Sequence, residues 1–338
     1  MTSLASESPW FLPSRHEDRR GLLLARNRII RSIRHWFEER TFIEVDVPAL
    51  VKSPGNEAHL HAFRTELINP DASTEVRYLH TSPEFACKKL LAAGEKRIFS
   101  LGHVFRNRER TPTHSPEFTM LEWYRAEEDE FKRIVFDALE IMALASTHSY
   151  AWKGRTCDPF AEAQWLSVAD AFHRYAAIDL LSTIHDRDAF ARQSPVHTSA
   201  DDTWSDIFSR IMGEKIEPHL GNGRITVLYD YPISEAALAR PSLADPRVAE
   251  RFELYACGVE LANGFGELTD ASEQRRRFGE EMDIKERIYG ERYPIDEDLL
   301  RALTIMPQAS GVALGLDRLI MLATGATRID QVQWVPVE

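Results

Sequence analysis

Apolar residues recur at three- and four-residue intervals from about Arg15 to Arg40, where Leu22, Leu23, Ile29, Ile30, Ile33, Trp36 and Phe37 stand among many arginines. That period predicts a long amphipathic helix. The pattern changes to alternation over Thr41 to Val47, which predicts a short strand, and Pro48 ends it or confines it to a sheet edge. Val51 to Phe63, with its Ser53-Pro54-Gly55-Asn56 tract, reads as loop, and Arg77 to Thr81 as strand. Ser82-Pro83-Glu84 reads as a helix start, with Ser82 at the cap and Pro83 in the first turn.

Two further strand patterns, Arg97 to Arg106 and Glu117 to Arg125, are joined by a polar, arginine-rich connection from Asn107 to Pro116. Long loops inside compact domains tend to carry function. From Phe131 to His219 the pattern is mostly helical. Strand patterns return at Ile225–Tyr231 and Arg251–Glu260, and a charged helix is predicted over Asp270–Tyr289. Gly311–Leu316 reads as a glycine-punctuated strand that turns into a helix at Asp317–Ala323. No internal repeat and no linker divides the chain. The expectation is an extension over residues 1–18 and one catalytic domain over 19–338, with a helical insertion at about 143–224.

The 338 residues carry 41 Lys plus Arg against 53 Asp plus Glu, a formal net charge of −12, which disfavours broad electrostatic capture of nucleic acid or an anionic membrane. With 43% hydrophobic residues the chain is globular rather than disordered. Only Cys87, Cys157 and Cys257 occur, so neither a disulfide framework nor a cysteine zinc site is indicated. The N-terminus lacks the basic start and apolar run of a secretory signal, and no apolar run approaches the roughly 18 residues of a membrane span. A cytoplasmic protein that does not enter membranes is expected. P-loop, dinucleotide-binding and His-Glu-x-x-His motifs are absent, and His59 with His61 reads as a pair of ordinary loop or strand residues.

Three segments carry chemistry in order. The first helix leads into Phe42-Ile43-Glu44-Val45-Asp46-Val47-Pro48. Val104-Phe105-Arg106-Asn107 is followed by Ser115-Pro116-Glu117-Phe118-Thr119-Met120-Leu121-Glu122-Trp123-Tyr124. Gly311-Val312-Ala313-Leu314-Gly315-Leu316-Asp317-Arg318-Leu319 closes the series. These resemble motifs 1, 2 and 3 of the class II aminoacyl-tRNA synthetases, and Glu260-Leu261-Ala262-Asn263-Gly264-Phe265-Gly266-Glu267-Leu268 is similar to an element of the lysyl branch. The first helix starts within about 20 residues of Met1, so no anticodon-binding domain is expected ahead of it. The chain thus resembles the elongation factor P (R)-beta-lysine ligases. Ala313 fits that resemblance, because its methyl would crowd an alpha-amino group where lysyl-tRNA synthetases typically carry glycine.

The resemblance implies an α+β class II synthetase catalytic fold, a mostly antiparallel sheet flanked by helices, with motif 1 at a homodimer interface. It also implies ATP-dependent activation of (R)-beta-lysine or lysine as an adenylate, with transfer to the ε-amine of a lysine on elongation factor P. Arg106 and Arg318 are the implied catalytic residues. Such chemistry needs cations more than a general base, since the attacking carboxylate is already ionised. Arg106 would clamp the alpha-phosphate and substrate carboxylate, while Arg318 and Phe118 would cover the two faces of adenine. Asn107, Arg108, Ser115, Glu260, Leu261 and Gly315 complete the implied ATP site, and Glu253 with Glu260 would hold Mg2+. Ser82, Glu84, Tyr124, Asn263, Glu267 and Ala313 would form the amino-acid pocket, acidic because a diamino acid brings two ammonium groups.

The sequence departs from the family at two places in the loop. Arg108 stands where a glutamate usually holds the adenine amino group, so either Glu109 substitutes or stacking suffices; Ser115 replaces an asparagine. The resemblance names no base for the acceptor amine. A truncated lysyl-tRNA synthetase paralogue, acting on tRNA or releasing lysyl-adenylate, is the rival enzyme reading. The acidic charge argues against a tRNA partner. A non-catalytic amino-acid or nucleotide sensor is the other rival, disfavoured by the complete phosphate and magnesium set.

Overall fold

A computed structural model describes residues 9–127, 131–184 and 186–337. The extension expected over 1–18 therefore lies partly outside the described residues, and its last six positions already belong to helix α1 (Pro13–Glu39). That helix buries Leu23, Ile29, Ile33, Trp36 and Phe37, the stripe its period predicts. Strands β1 (Ile43–Glu44), β2 (Leu50–Val51), β3 (Arg64–Ile68) and β4 (Thr74–Leu79) follow, then α2 (Glu84–Ala92), β5 (Arg97–Phe105) and β6 (Glu117–Ala126). Next come α3 (Phe131–Leu144), β7 (Tyr150–Trp152), β8 (Arg155–Asp158), β9 (Gln164–Ser167), α4 (Val168–Ala176), α5 (Arg187–Gln193) and α6 (Trp204–Ile211). The chain ends with β10 (Gly223–Arg224), β11 (Thr226–Pro232), β12 (Val248–Ala256), β13 (Val259–Gly266), α7 (Ala271–Tyr289), α8 (Glu297–Leu303), β14 (Ala309–Gly315) and α9 (Leu316–Thr324).

An eight-stranded sheet in the order β1-β5-β6-β14-β13-β12-β11-β9 organises the molecule. Its six central strands pair antiparallel, and only the edge strands β1 and β9 join parallel. This is the α+β arrangement expected, with a mixed sheet flanked by helices. Alternation along each strand divides the side chains between two faces. On one face Leu121, Trp123, Val312, Leu314, Ala262, Phe252 and Leu254 pack against α1, α3 and α9 in the main core. The other face carries the polar residues described below.

Three expectations change in the structure. The middle third is largely helical as expected, but β7, β8 and β9 interrupt it between α3 and α4, and helices α4, α5 and α6 build a separate core with Phe172, Phe190 and Phe208. The single strand expected over Arg251–Glu260 is a hairpin, turned at Cys257 (φ 55°) and Gly258 (φ 74°), so Glu253 and Glu260 stand on different strands. Pro83, not Ser82, takes the cap position of α2. The Ser82 hydroxyl donates to Glu122 at 2.8 Å and accepts from the Glu84 N–H at 3.0 Å, so it joins helix start to sheet. Strand β3 and helix α8 also escaped the pattern, being short and charged.

Buried Arg26 of α1 ties three elements together. Its guanidinium pairs with Asp317 of α9 and donates to Thr119 of β6 at 2.6 Å, and Asp317 also accepts from the Thr119 N–H at 3.2 Å. Among the described residues no helix is long and apolar enough to cross a membrane. Because removing one partner of a buried pair leaves an uncompensated charge, Arg26→Met should lower stability by about 3–5 kcal/mol. Urea unfolding followed by circular dichroism checks this; a loss below about 1 kcal/mol would show that Asp317 is adequately held by its remaining partners.

Candidate active site

The polar sheet face reads as rows across the strands. Glu122 of β6 is registered with Ala313 of β14, which is registered with Asn263 of β13 and through it with Glu253 of β12. One step along, Tyr124, Gly311, Phe265 and Arg251 form the next row. A cavity of about 320 Å³ opens over this face, between the 54–60 segment, the 107–116 loop and the start of α9. Gly311 has a steric reason to be glycine, since a Cβ there would overlap the Tyr124 ring and the Glu267 carboxylate. Gly315 has none within the protein, where a Cβ would meet nothing nearer than Arg318 Cδ at 3.7 Å. The space above its backbone belongs to the cavity.

Two arginines mark one end. Arg106, at the end of β5, donates from Nε to the Thr81 carbonyl at 3.3 Å and lies over the Phe118 ring at 5.4 Å. Arg318, in the first turn of α9, donates to the carbonyls of Thr113 at 3.2 Å and Glu260 at 3.1 Å. It also reaches His114 Nε2 at 2.5 Å and stands 3.8 Å from the Glu260 carboxylate. Burial, then Arg318 and Arg106, push His114 down to about 4, so its ring is neutral and can accept from Arg318. Burial, then Glu253, push Glu260 upward. Fixed guanidinium groups beside a part-open cavity suit a polyanion.

The other end is acidic. Lys88 of α2, 1% exposed, places Nζ 2.6 Å from Glu84 and 2.7 Å from Glu267. Its charge is retained, because those two carboxylates outweigh the cost of burial. Glu122 accepts from Ser82 and from the Tyr124 hydroxyl, yet burial and Glu84 still raise its carboxyl to about 8. Burial likewise raises Glu267, with Lys88 opposing, and pushes Tyr124 well above the usual phenol range. Glu57, which the sequence reading missed, lines the cavity opposite Arg106 and is raised to about 7 by burial and Glu84. Its signal lay in a loop with no motif around it.

Of the residues singled out in the sequence, Ser82, Glu84, Arg106, Ser115, Phe118, Glu260, Leu261, Asn263, Ala313, Gly315 and Arg318 all line this one cavity. Tyr124 and Glu267 lie beneath it, both buried. Asn107 and Arg108 do not reach it. Arg108 adopts φ 68° and turns outward to Glu291 at 2.7 Å, while Glu109 lines the cavity in its place. Glu253 is also withdrawn: Arg251 at 2.6 Å and the hydroxyls of Tyr231 at 2.5 Å and Tyr255 at 2.6 Å occupy its oxygens. His59 and His61 bond to Tyr289 at 2.9 Å and Glu291 at 3.0 Å. Among the described residues no cluster of three or more His, Cys, Asp or Glu could hold a metal alone.

Residues 8–338 match the family of class II tRNA synthetases (D, K and N). An elongation factor P–(R)-beta-lysine ligase from Avibacterium paragallinarum is 41% identical over 315 residues, covering 92% of this chain and 93% of the relative. Ligases of the same name from Haemophilus ducreyi and Proteus mirabilis are 40% and 41% identical, with coverage of 94% of both chains and of 93% and 94%, respectively.

Because the Glu122 carboxyl is raised on folding from 4.5 to about 8, the native state binds more protons there than the unfolded chain. Its stabilising contribution is full below about pH 4.5 and is lost as pH rises toward 8. The stability of Glu122→Gln relative to the parent should therefore increase between pH 5 and pH 8. Urea midpoints measured across that range decide it, and a difference that stays level would mean the carboxyl titrates alike in both states.

Proposed function

The chain belongs to the class II tRNA synthetases, in the branch that holds the elongation factor P–(R)-beta-lysine ligases, and on that footing we propose that it joins (R)-beta-lysine to elongation factor P at the expense of ATP. In the first step the amino-acid carboxylate attacks the alpha-phosphorus, and pyrophosphate leaves with the electron pair of the broken P–O bond. The lysine ε-amine of elongation factor P then takes the acyl group and AMP departs. The observation that carries this reading is one sheet face with two arginines at one end of a cavity and a carboxyl cluster at the other. An ATP phosphate chain and a dicationic amino acid need those ends.

Arg106 serves the alpha-phosphate and the substrate carboxylate, and Arg318 the adenine face and the gamma-phosphate. Phe118 covers the opposite adenine face once Arg106 turns from its ring to the phosphate. Glu109 takes the place expected of Arg108. Glu84 receives the amino group nearer the carboxylate, Asn263 the carboxylate itself, and the Glu267–Tyr124 floor attracts the distal ammonium. Glu260 faces the cavity and fits a magnesium ion that completes its shell with phosphate oxygens. Such an ion supplies charge neutralisation to the departing pyrophosphate. Glu253 would join it only on release from Arg251 and the two tyrosines.

A homodimer through the motif 1 segment accompanies this proposal, supported by Ile43 and Leu50, which leave apolar side chains exposed at the sheet margin. The acidic chain favours a protein acceptor over tRNA.

Intact mass of elongation factor P after incubation with this protein, ATP and either beta-lysine enantiomer or lysine tests the reaction, and one beta-lysyl addition with the (R) form is expected. Acylation of tRNA alone would establish the synthetase reading instead, and no pyrophosphate exchange with any of the three would establish a sensor. Arg318→Ala should lower the pyrophosphate-exchange kcat about 10²–10³-fold, as for loss of a donor aimed at developing charge.

A further inference from the structure

Glu57 lines a small cavity of about 30 Å³ beside the start of α2 and also two larger ones. One is the cavity of the preceding sections. The second, about 230 Å³, opens separately between α6, the 234–237 segment and α7, and its walls include Thr203, Asp206, Ser209, Glu235 and Glu281. The backbone on either side of Glu57 is pinned to α7: the Ala58 N–H donates to Glu281 at 2.9 Å, and Lys285 donates to the carbonyls of Ala58 at 2.9 Å and Leu60 at 2.6 Å. The Glu57 carboxyl itself makes no hydrogen bond or ion pair among the described residues, although its flanks are fixed. The charged groups facing it are Glu84 and Arg106 from the first cavity, Glu281 and Arg251 from the second, and buried Lys285 of α7 outside both.

The other carboxyls here are engaged. Glu84 and Glu267 hold Lys88, Glu122 holds Ser82 and Tyr124, Glu260 stands beside Arg318, and Glu281 holds the Ala58 N–H. The second cavity is acidic, and Glu235 Oε1 is buried there without a hydrogen-bond partner among the described residues. Such a groove attracts a lone ammonium on a slender stem. It meets the main cavity at Glu57, near Arg106, where the activated carboxyl would lie.

Resting on the function proposed above, we propose that the acceptor lysine of elongation factor P enters through this second groove and that Glu57 is the base that deprotonates its ε-ammonium. The ammonium gives one proton to the Glu57 carboxylate. The freed nitrogen attacks the acyl carbon of the adenylate and a C–N bond forms. The C–O bond to the phosphate breaks, AMP leaves with its electron pair, and the second nitrogen proton passes to a phosphate oxygen of AMP. A carboxyl raised to about 7 is a better match to an amine than an ordinary one, because less free energy separates the two proton sites.

Two half-reactions separate this role from its rivals. In Glu57→Gln, single-turnover transfer from preformed adenylate to elongation factor P should fall about 10²–10⁴-fold, the usual range for general-base loss. Pyrophosphate exchange should fall by less than about threefold, as should hydroxamate formation with hydroxylamine, which is unprotonated at neutral pH and needs no base. Glu57→Asp should recover part of the transfer rate, and the rise of that rate with pH near 7 in the parent should vanish in Glu57→Gln. Exchange and transfer falling together would make Glu57 a contact of the amino acid and overturn the proposal, as would transfer left intact. Absence of exchange or transfer in the parent would instead overturn the underlying function.

Discussion

Lys88 sits between Glu84 and Glu267, an ammonium with 1% of its side chain exposed held by one carboxylate that lines the cavity and one buried beneath it. Charges removed from water cost several kcal/mol each unless matched, so this one cation decides what the rest of the pocket can be. It answers its two acids only in part: Glu267 is still raised by burial, as is Glu122 nearby. The surplus carboxyls are an unfilled demand for positive charge. On the proposed function, a diamino acid would bring two ammonium groups to these acids, which burial holds above their ordinary range.

The opposite end inverts the sign. Arg106 and Arg318 are held by backbone carbonyls, and burial together with both arginines keeps His114 neutral, so the positive charge is set against the cavity with only the Glu260 carboxylate, 3.8 Å from Arg318, beside it. Cationic and acidic groups thus have separate ends in a space of about 320 Å³, and under the proposed function the reacting carboxylate would lie where they meet. Preorganised charges of this kind need no rearrangement as the reaction proceeds. The sheet keeps them in place: its other face is the main core, and the buried Arg26–Asp317 pair ties the motif 1 helix to the motif 3 helix through β6.

Legibility followed period and motif. Helix α1, the β5–β6 pair and the β14–α9 turn were readable because each joins a strong hydrophobic pattern to an arginine at a defined place. Of the eleven sequence-chosen residues that meet in one cavity, Phe118, Asn263, Ala313 and Gly315 do so because alternation on antiparallel strands sends every second side chain to the same face, while Ser82, Glu84, Ser115 and Arg318 arrive from loops and helix starts. Short elements failed. Strands β7, β8 and β9 run for three or four residues, too few to display a period, and were absorbed into a helical reading. The hairpin inside 251–260 depends on a turn at Cys257-Gly258 that alternation does not reveal.

By itself the sequence determined the order of the motifs, the acidic balance, the α+β class and the identities of the two cavity-lining arginines, because these reside in local spacing and residue chemistry. Only tertiary structure decided that Lys88 neutralises the acid pair, that Arg108 turns away while Glu109 faces inward, that Glu253 is bound by Arg251 and two tyrosines, and that Glu57 stands where two cavities meet. The decisive partners among these, Glu267 for Lys88 and Glu291 for Arg108, lie far away in the chain. Charge, unlike hydrophobic period, has no local signature of what it will meet once water is removed.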